Sequence, residues 1–341
     1  MSSKTLMAAT TVLALCALVP DAQAAEISGA GATFPYPIYA KWAAAYKDVG
    51  GTSLNYQSIG SGGGIAQIKA QTVTFGASDM PLKPKEQEAA GLVMFPTVIG
   101  AEVIIYNVSG IPSNTLVLDG ATIADIYMGK VAKWNDPAIK KLNPSLNLPN
   151  VPITVVHRSD GSGTTFIFAN YLSKVSTEWA KNVGAGTSVD WPVGIGAKGN
   201  EGVAGNVAQT AGSIGYVEYA YAIQSRLRYT RLKSHDGQVV SPSMASFKAA
   251  AAHADWDRAD HFYMILTDQP GADAWPIENP TFILMRKQPS NVAASAEALK
   301  FFKWAFEKGD RMAESLFYIP LPDTVVRRIE AGWKQIHGSG E

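Results

Sequence analysis

Short apolar runs alternate along this chain with segments in which apolar residues recur every three to four positions. This order is typical of an α/β protein, in which helices cover a sheet. Four of the apolar runs occupy residues 93–106, 153–157, 214–217 and 281–285. Because several of these runs lack clean alternation of polar and apolar residues, they predict strands that are covered on both faces and paired in parallel.

Helices are predicted where the apolar spacing changes. Ile38, Trp42 and Tyr46 lie four residues apart, so they share one face of a helix. Two further helices are predicted near the C-terminus, one ending before Gly309 and one beginning after Pro322.

The 341 residues suffice for two domains, and two segments look like connections between them. Residues 95–100 lead into an extended stretch, and residues 275–277 lead into the run at 281–285. If the chain leaves the first lobe at about residue 104 and returns to it at about residue 277, that lobe is built from both ends of the chain and the other lobe from its middle. We therefore expect lobe I at residues 25–104 plus 277–341 and lobe II at residues 105–276. A single large sheet would give the same alternation.

Residues 1–24 have the pattern of a cleavable signal peptide. Lys4 gives a weak positive region, residues 6–19 are apolar, and Ala22-Gln23-Ala24 is a small-x-small cleavage pattern. The only cysteine, Cys16, lies inside this segment, so the mature chain would contain no thiol, which suits an oxidising compartment. A retained anchor and a lipidated N-terminus stay open as alternatives, although Leu15 stands where lipidation calls for a small residue.

The balance of positive and negative charges argues against ligands that require a strongly charged protein. Lys+Arg and Asp+Glu number 29 each, and the formal net charge is zero. Nucleic-acid binding is not expected, because it would call for a basic excess or a basic stripe. Local dipoles and single cations would have to hold an anionic ligand.

Three turns rich in Ser, Thr and Gly each precede a helical segment, at residues 29–34, 58–64 and 158–165. The first turn of a helix offers unpaired N–H groups and a partial positive charge, which together bind oxyanions. Any one of these turns, taken alone, is most simply a capped helix start. Three in one chain predict an oxyanion site. None of them ends in the Gly-Lys-Ser/Thr of a nucleotide-binding loop.

Arg158, Asp160 and Asp79 add charges to these turns. A guanidinium grips two oxygens of an anion at once, and Asp160 would orient it; an ordinary surface ion pair is the alternative. A carboxylate such as Asp79 repels an anion unless that anion carries a proton to donate. Asp79 would therefore favour protonated phosphate over fully ionised sulfate, or else it only caps the turn before Pro81.

Three other patterns carry less weight. Residues 194–199 match the dinucleotide-binding glycine pattern with Glu218 downstream, but Pro192 interrupts the strand that should precede it. The His/Asp cluster at residues 253–261 has the wrong spacing for metal ligands on one helix face, and we expect no metal. Residues 161–163 lack the Gly-x-Ser-x-Gly pattern of a nucleophilic serine.

The sequence resembles the periplasmic phosphate-binding proteins of phosphate-specific ABC transporters over essentially the whole mature chain. The matching stretches are residues 29–35 (Gly-Ala-Gly-Ala-Thr-Phe-Pro), 59–64 (Ile-Gly-Ser-Gly-Gly-Gly), 75–79 (Phe-Gly-Ala-Ser-Asp), 160–164 (Asp-Gly-Ser-Gly-Thr), 215–222 (Gly-Tyr-Val-Glu-Tyr-Ala-Tyr-Ala) and 273–277 (Asp-Ala-Trp-Pro-Ile). Two minor departures are His157 before the arginine and an extra glycine, Gly62.

The resemblance implies two Rossmann-like lobes joined by hinge strands, a type II-like periplasmic binding protein fold with its ligand in the cleft between the lobes. It implies that phosphate is bound by Thr33, Phe34 (through its backbone), Ser61, Asp79, Arg158, Ser162, Gly163 and Thr164, with Asp160 supporting the arginine.

The resemblance also implies a periplasmic, non-enzymatic monomer without cofactors that delivers phosphate to an inner-membrane permease with its ATPase. Three alternatives stay open: a binder of sulfate or another oxyanion, a phosphoryl-handling hydrolase that uses Ser162, and a sensor that only signals the bound anion.

Overall fold

The structure, a computed structural model, describes residues 26–337; the predicted signal peptide and Cys16 lie outside the described residues. The strands are β1 (Ile27–Gly31), β2 (Leu54–Ser58), β3 (Phe75–Ser78), β4 (Leu92–Tyr106), β5 (Val117–Leu118), β6 (Thr154–Arg158), β7 (Ile195–Ala197), β8 (Ser213–Glu218), β9 (Arg228–Tyr229), β10 (Arg231–Lys233), β11 (Val239–Val240), β12 (Glu278–Arg286) and β13 (Ile319–Pro320).

The α-helices are α1 (Tyr36–Asp48), α2 (Ser61–Lys69), α3 (Pro84–Ala90), α4 (Gly120–Tyr127), α5 (Pro137–Leu142), α6 (Gly163–Val175), α7 (Thr177–Asn182), α8 (Gly199–Gln209), α9 (Tyr219–Gln224), α10 (Met244–Ala251), α11 (Val292–Lys308), α12 (Asp310–Glu314) and α13 (Asp323–Gly332). The helices predicted around Trp42, before Gly309 and after Pro322 are confirmed as α1, α11 and α13. In the part of the chain that the structure describes, no helix is long and apolar enough to cross a membrane.

The main sheet runs in the order β2-β1-β3-β12-β4-β8-β6-β7, and β13 and β9 also pair with β4. A second sheet has the order β11-β10-β5. The long strand β4 joins the two halves of the main sheet. Its residues 92–101 pair with β12, whereas its residues 102–106 pair with β8.

The prediction of parallel pairing is confirmed for the run at 153–157, since β6 is parallel to β7 and β8, but it is wrong for the runs at 93–106 and 281–285. β12 is antiparallel to both β3 and β4, and β4 is antiparallel to β8. All fifteen residues of β4 are nevertheless buried. Burial on both faces produces an unbroken apolar run whichever way the neighbouring strand points, so the pattern could not report strand direction.

Aromatic side chains fill the core on each half of the sheet. Tyr39 and Phe302 lie edge to face 6.4 Å apart near β1, and Phe168 stacks on Tyr216 at 4.3 Å near β6 and β8. Edge-to-face and offset contacts of this kind are favourable for aromatic pairs. The resulting rigid cores hold the ends of the strands in place.

Each of the three predicted turns follows the end of a strand in the main sheet. β1 pairs in parallel with β2 and with β3, so Gly31 lies beside Ser58 on one side and Ala77 on the other. The turns that follow these strands therefore share one edge of the sheet, where ligands of α/β proteins bind. The third turn follows β6, at Arg158, in the other half.

Candidate anion-binding site

The first turn, between β1 and α1, is buried and held by tyrosines from distant segments. Thr33 is 2% exposed and Phe34 is fully buried. The Tyr221 hydroxyl donates to the carbonyl oxygen of Thr33, and the Tyr318 hydroxyl donates to that of Phe34, both at 2.6 Å. The backbone N–H of Tyr36 also donates to the Thr33 carbonyl oxygen, at 3.2 Å, so these three hydrogen bonds fix the backbone of the turn.

The second turn presents Ser61 at the first position of α2. Gly60 precedes it with a φ of 90°, a left-handed conformation that suits glycine. The backbone N–H of Asp79 donates to Ser61 Oγ at 3.1 Å. The Ser61 hydroxyl in turn donates to Asp79 Oδ2, with 3.4 Å between the two oxygens.

The third turn combines a helix N-terminus with Arg158. Ser162 is the N-cap of α6 and accepts a hydrogen bond from the backbone N–H of Thr165 at 3.0 Å. Gly163 and Thr164 begin the helix, and Arg158 Nη1 donates to Thr164 Oγ1 at 3.2 Å. A cation thus lies beside the positive end of the helix dipole, where it strengthens the attraction for an anion.

Asp160 orients the guanidinium of Arg158 with two hydrogen bonds. Arg158 Nε and Nη2 donate to the two carboxylate oxygens at 2.8 and 2.5 Å. The arginine side chain is 1% exposed and that of Asp160 is 12% exposed. Burial alone would raise the pKa of Asp160, but hydrogen bonding and the charge of Arg158 lower it overall.

Asp79 is the buried carboxylate of the site, with 1% of its surface exposed. Thr281 donates to its Oδ1 at 2.8 Å, and the Asn279 amide donates to its backbone carbonyl oxygen at 2.9 Å. Burial raises the pKa of Asp79 to about 7, against the opposing effects of the Thr281 hydrogen bond and the Arg158 charge.

The second and third turns touch across the sheet. The backbone N–H of Gly62 donates to the carbonyl oxygen of Gly161 at 2.9 Å. A Cβ atom on Gly163 would lie 2.4 Å from Ser61 Oγ and 2.5 Å from Asp79 Oδ2. Glycine is required where backbones approach this closely, and the extra glycine at position 62 takes part in this contact.

Asn200 contacts two residues of the candidate site and was not predicted from the sequence. It lies in the first turn of α8, directly after the glycine pattern at residues 194–199, and is fully buried. Its amide nitrogen is 2.7 Å from Thr33 Oγ1 and 3.2 Å from Thr164 Oγ1. The signal in the sequence was a fourth glycine turn before a helix, which dinucleotide binding did not explain. Thr281 and Asn279 were hidden in an apolar strand.

The candidate residues form one connected network. Asn200 joins Thr33 to Thr164, Thr164 contacts Arg158, and Gly163 brings α6 against Ser61 and Asp79. The remaining members adjoin these residues along the chain: Phe34, Ser162 and, at the half-buried margin, Asp160.

Two other sequence features lie in ordinary structural contacts. His157 stacks on Trp191 at 4.7 Å, and its Nδ1 lies 3.0 Å from the carbonyl oxygen of Arg158. In the His/Asp segment at residues 253–261, His261 Nδ1 is 2.8 Å from Asp260 Oδ1. Within residues 26–337, no three His, Cys, Asp or Glu side chains gather closely enough to hold a metal ion.

Comparison with known proteins identifies the relatives of this chain. A domain of the PBP superfamily matches residues 19–308. A phosphate-binding protein PstS of Xylella fastidiosa is 55% identical over 308 residues, covering 90% of this chain and 85% of its own length. The PstS of Haemophilus influenzae is 52% identical over 316 residues, covering 93% and 95%.

A solved structure supports the fold. A high-affinity periplasmic phosphate-binding protein (PfluDING), bound with phosphate, superimposes with a TM-score of 0.72 at 20% identity, covering 93% of this chain and 99% of its own. This likeness concerns the fold alone and confirms the predicted two-lobe α/β architecture. The superfamily match over residues 19–308 and the PstS relatives show that the chain belongs to the PBP superfamily and, within it, to the family of phosphate-binding proteins PstS.

Proposed function

We propose that this protein binds one inorganic phosphate ion between its two lobes and delivers it to a phosphate ABC transporter. The observation that carries this proposal is that several hydrogen-bond donors and a single acceptor, the Asp79 carboxylate, lie in one place. Hydroxyls, helix N-termini and Arg158 converge on a place that also contains the buried carboxylate of Asp79. The PstS relatives, named for phosphate binding, support the same conclusion.

The carboxylate of Asp79 selects for an anion that carries a proton. Phosphate keeps a proton near neutral pH and donates it to the carboxylate, whereas sulfate would bring two buried acceptors face to face. Leaving a buried acceptor unpaired costs about 1–3 kcal/mol, and more for a charged group. Selectivity over sulfate therefore follows from one side chain.

We assign phosphate binding to the eight residues that the resemblance implied: Thr33, Phe34, Ser61, Asp79, Arg158, Ser162, Gly163 and Thr164. Asp160 supports them by orienting Arg158. The support for this assignment is the single network described above, in which Ser61 bonds to Asp79, Gly163 packs against both, and Asn200 and Arg158 join Thr164 to the first turn.

The proposed lobes are residues 25–104 plus 277–341 and residues 105–276, with β4 and β12 as hinge strands. Two cross-contacts support closure of the lobes on the ion: Gly62 with Gly161, and Thr33 with Asn200. Hinge closure around a ligand is a common motion of two-lobe binding proteins.

We further propose export to the periplasm by cleavage after Ala24, action as a monomer, and docking to an inner-membrane permease with its ATPase. The signal-peptide pattern of residues 1–24 supports the export. No covalent chemistry and no cofactor enter this function.

Calorimetry with the mature chain tests the proposal. Phosphate is expected to bind with a stoichiometry of one, and sulfate in large excess is expected not to displace it. Equal binding of sulfate would contradict phosphate selectivity. If the protein hydrolysed a phosphate ester and this activity disappeared in Ser162→Ala, the protein would be a hydrolase and the transport function would be wrong.

A further inference from the structure

Asn200 connects two phosphate-site hydroxyls that belong to different lobes. It lies 167 residues from Thr33 and 36 from Thr164 along the chain. Its side chain is fully buried. A buried amide normally satisfies its hydrogen bonds, and here the partners reveal which way each hydrogen bond runs.

The orientation of the Asn200 amide is determined by a backbone donor. The backbone N–H of Glu218 lies 2.9 Å from Asn200 Oδ1. Because a backbone N–H can only donate, the oxygen of the amide must face Glu218. The Nδ2 group, which can only donate, therefore faces Thr33 and Thr164.

Both threonine hydroxyls must then accept from Asn200. Thr33 Oγ1 accepts from Asn200 Nδ2 at 2.7 Å and from the backbone N–H of Asn200 at 3.3 Å. Thr164 Oγ1 accepts from Asn200 Nδ2 and from Arg158 Nη1, each at 3.2 Å. A hydroxyl has two lone pairs and one proton. With both lone pairs occupied on each oxygen, each proton remains to be donated.

We propose that Asn200 is a positioning residue that makes the Thr33 and Thr164 hydroxyls obligate donors to the bound anion. This inference rests on the proposed function and deepens it. A hydroxyl that rotates freely can present either its proton or a lone pair to an anionic oxygen. Asn200 prevents both the Thr33 and the Thr164 hydroxyl from presenting a lone pair to the anion, so that Asp79 acts as the acceptor.

The two hydroxyls are thereby oriented from opposite lobes by one side chain. Thr33 follows β1, whereas Asn200 and Thr164 begin α8 and α6. The Thr33 hydroxyl accepts from Asn200 only when α8 lies against the first turn, whereas Thr164 and Asn200 lie in the same proposed lobe. Orientation of the Thr33 donor is therefore coupled to closure, and orienting both donors reduces the entropy lost when the anion binds.

The first test compares phosphate affinity in Asn200→Ala, Asn200→Asp and wild type by calorimetry. Loss of two oriented donors is expected to weaken binding about 10- to 100-fold in Asn200→Ala. Asn200→Asp is expected to weaken it further, because its second carboxylate oxygen would draw both hydroxyl protons away from the anion. The matched control is Asn206→Ala on the same helix, whose amide donates to the Gly202 carbonyl at the surface; it should bind like wild type.

A double-mutant cycle separates positioning from support of the fold. Asn200→Ala is combined with Thr33→Val and Thr164→Val, which remove the hydroxyls. If Asn200 acts through these hydroxyls, its substitution costs less than about 2-fold in the doubly substituted background. Full additivity overturns the proposal, and so does wild-type affinity in Asn200→Ala.

Failure of the proposed function and failure of the Asn200 inference give different results. If wild type does not bind phosphate, the proposed function is wrong, and the inference that rests on it is wrong as well. Thermal unfolding shows whether Asn200→Ala is folded; if it is not, Asn200→Asp, which has the same size, takes its place in the cycle. Additivity in that cycle overturns the proposal equally.

Discussion

The hydroxyl of Thr281 donates a hydrogen bond to Oδ1 of Asp79 across 2.8 Å, although 202 residues separate them in the chain. They meet because β12 pairs antiparallel with β3, which places Phe282 opposite Ser78. One carboxylate oxygen of Asp79 is thereby occupied. The other, Oδ2, lies toward Ser61 and Gly163, where the anion is proposed to bind.

This geometry predicts the effect of Asp79→Asn. Thr281 would keep the amide oxygen on its own side, so that the new Nδ2 group would face the anion and offer a donor. Sulfate binding should improve relative to phosphate, and the affinity ratio measured by calorimetry should fall. An unchanged ratio would show that Asp79 is not the acceptor that discriminates between the two anions.

The pKa of Asp79 makes stability depend on pH. Because burial raises this pKa from 3.8 to about 7, the folded protein resists ionisation of the group. Its stabilising contribution is complete below pH 3.8 and is lost as the pH rises to about 7. The unfolding midpoint of Asp79→Asn, relative to wild type without phosphate, should therefore increase over this window and level off above it. A difference that is constant with pH would contradict the raised pKa.

Gly163→Ala should abolish phosphate binding without unfolding the protein. The added Cβ would lie 2.4 Å from Ser61 Oγ and 2.5 Å from Asp79 Oδ2, so the third turn could no longer approach the second. Gly205→Ala in helix α8, where nothing lies within 4 Å of the added atom, is the matched control. That control should bind normally and gain up to about 1 kcal/mol of stability. Normal affinity in Gly163→Ala would mean that the contact is not needed.

Arg158→Ala should cost about 2–5 kcal/mol of phosphate binding free energy, because its side chain is 1% exposed and desolvated. Arg158→Lys keeps the charge but loses the fork that Asp160 orients, so it should recover only part of the affinity. Calorimetry measures both variants. A loss below about 1 kcal/mol in Arg158→Ala would place the arginine at the margin of the site.

A buried pair of glutamates near the site predicts a second pH effect. Glu102 and Glu218 are fully buried and lie opposite each other in β4 and β8. Among the described residues, neither carboxylate oxygen of Glu102 has a hydrogen-bond partner. Burial, with the nearby Asp79 charge, raises the pKa of Glu102 well above 4.5. Asp79, Arg158 and Glu218 are the ionisable groups that act on this pKa besides burial.

The corresponding test is Glu102→Gln, which mimics the protonated carboxyl. Its stability relative to wild type should grow as the pH rises above 4.5, because wild type loses the contribution of the neutral acid. Thermal unfolding at several pH values between 5 and about 9 measures the difference. Greater stability of wild type at high pH would indicate a partner for the ionised group.

Local patterns in the sequence were enough to find the helix starts that form the site. Glycines, hydroxyls and prolines around Thr33, Ser61 and Ser162 mark turns before α1, α2 and α6, because such turns depend on residues a few positions apart. The apolar runs likewise located β4 and β12, because buried strands consist mainly of apolar residues. Arg158 and Asp160 were paired correctly because only one residue separates them.

Strand direction and long-range partners were not readable in this way. The antiparallel pairing of β4 with β12 leaves no trace in a run that is apolar on both faces. Thr281 appeared as one polar residue in such a run, and Asn200 followed a glycine pattern that suggested another ligand. Both acquire a role only when strands and helices far apart in the chain come together.

By itself, the sequence determined the α/β class, the turns expected to bind an oxyanion and the acid expected to favour a protonated anion, because these depend on local residue type and spacing. The tertiary structure alone decided that the turns converge, that Thr281 occupies one oxygen of Asp79, and that Asn200 contacts the hydroxyls of both Thr33 and Thr164. Hydrogen-bond direction depends on which donors and acceptors finally meet, and in this protein most of those partners lie tens to hundreds of residues apart.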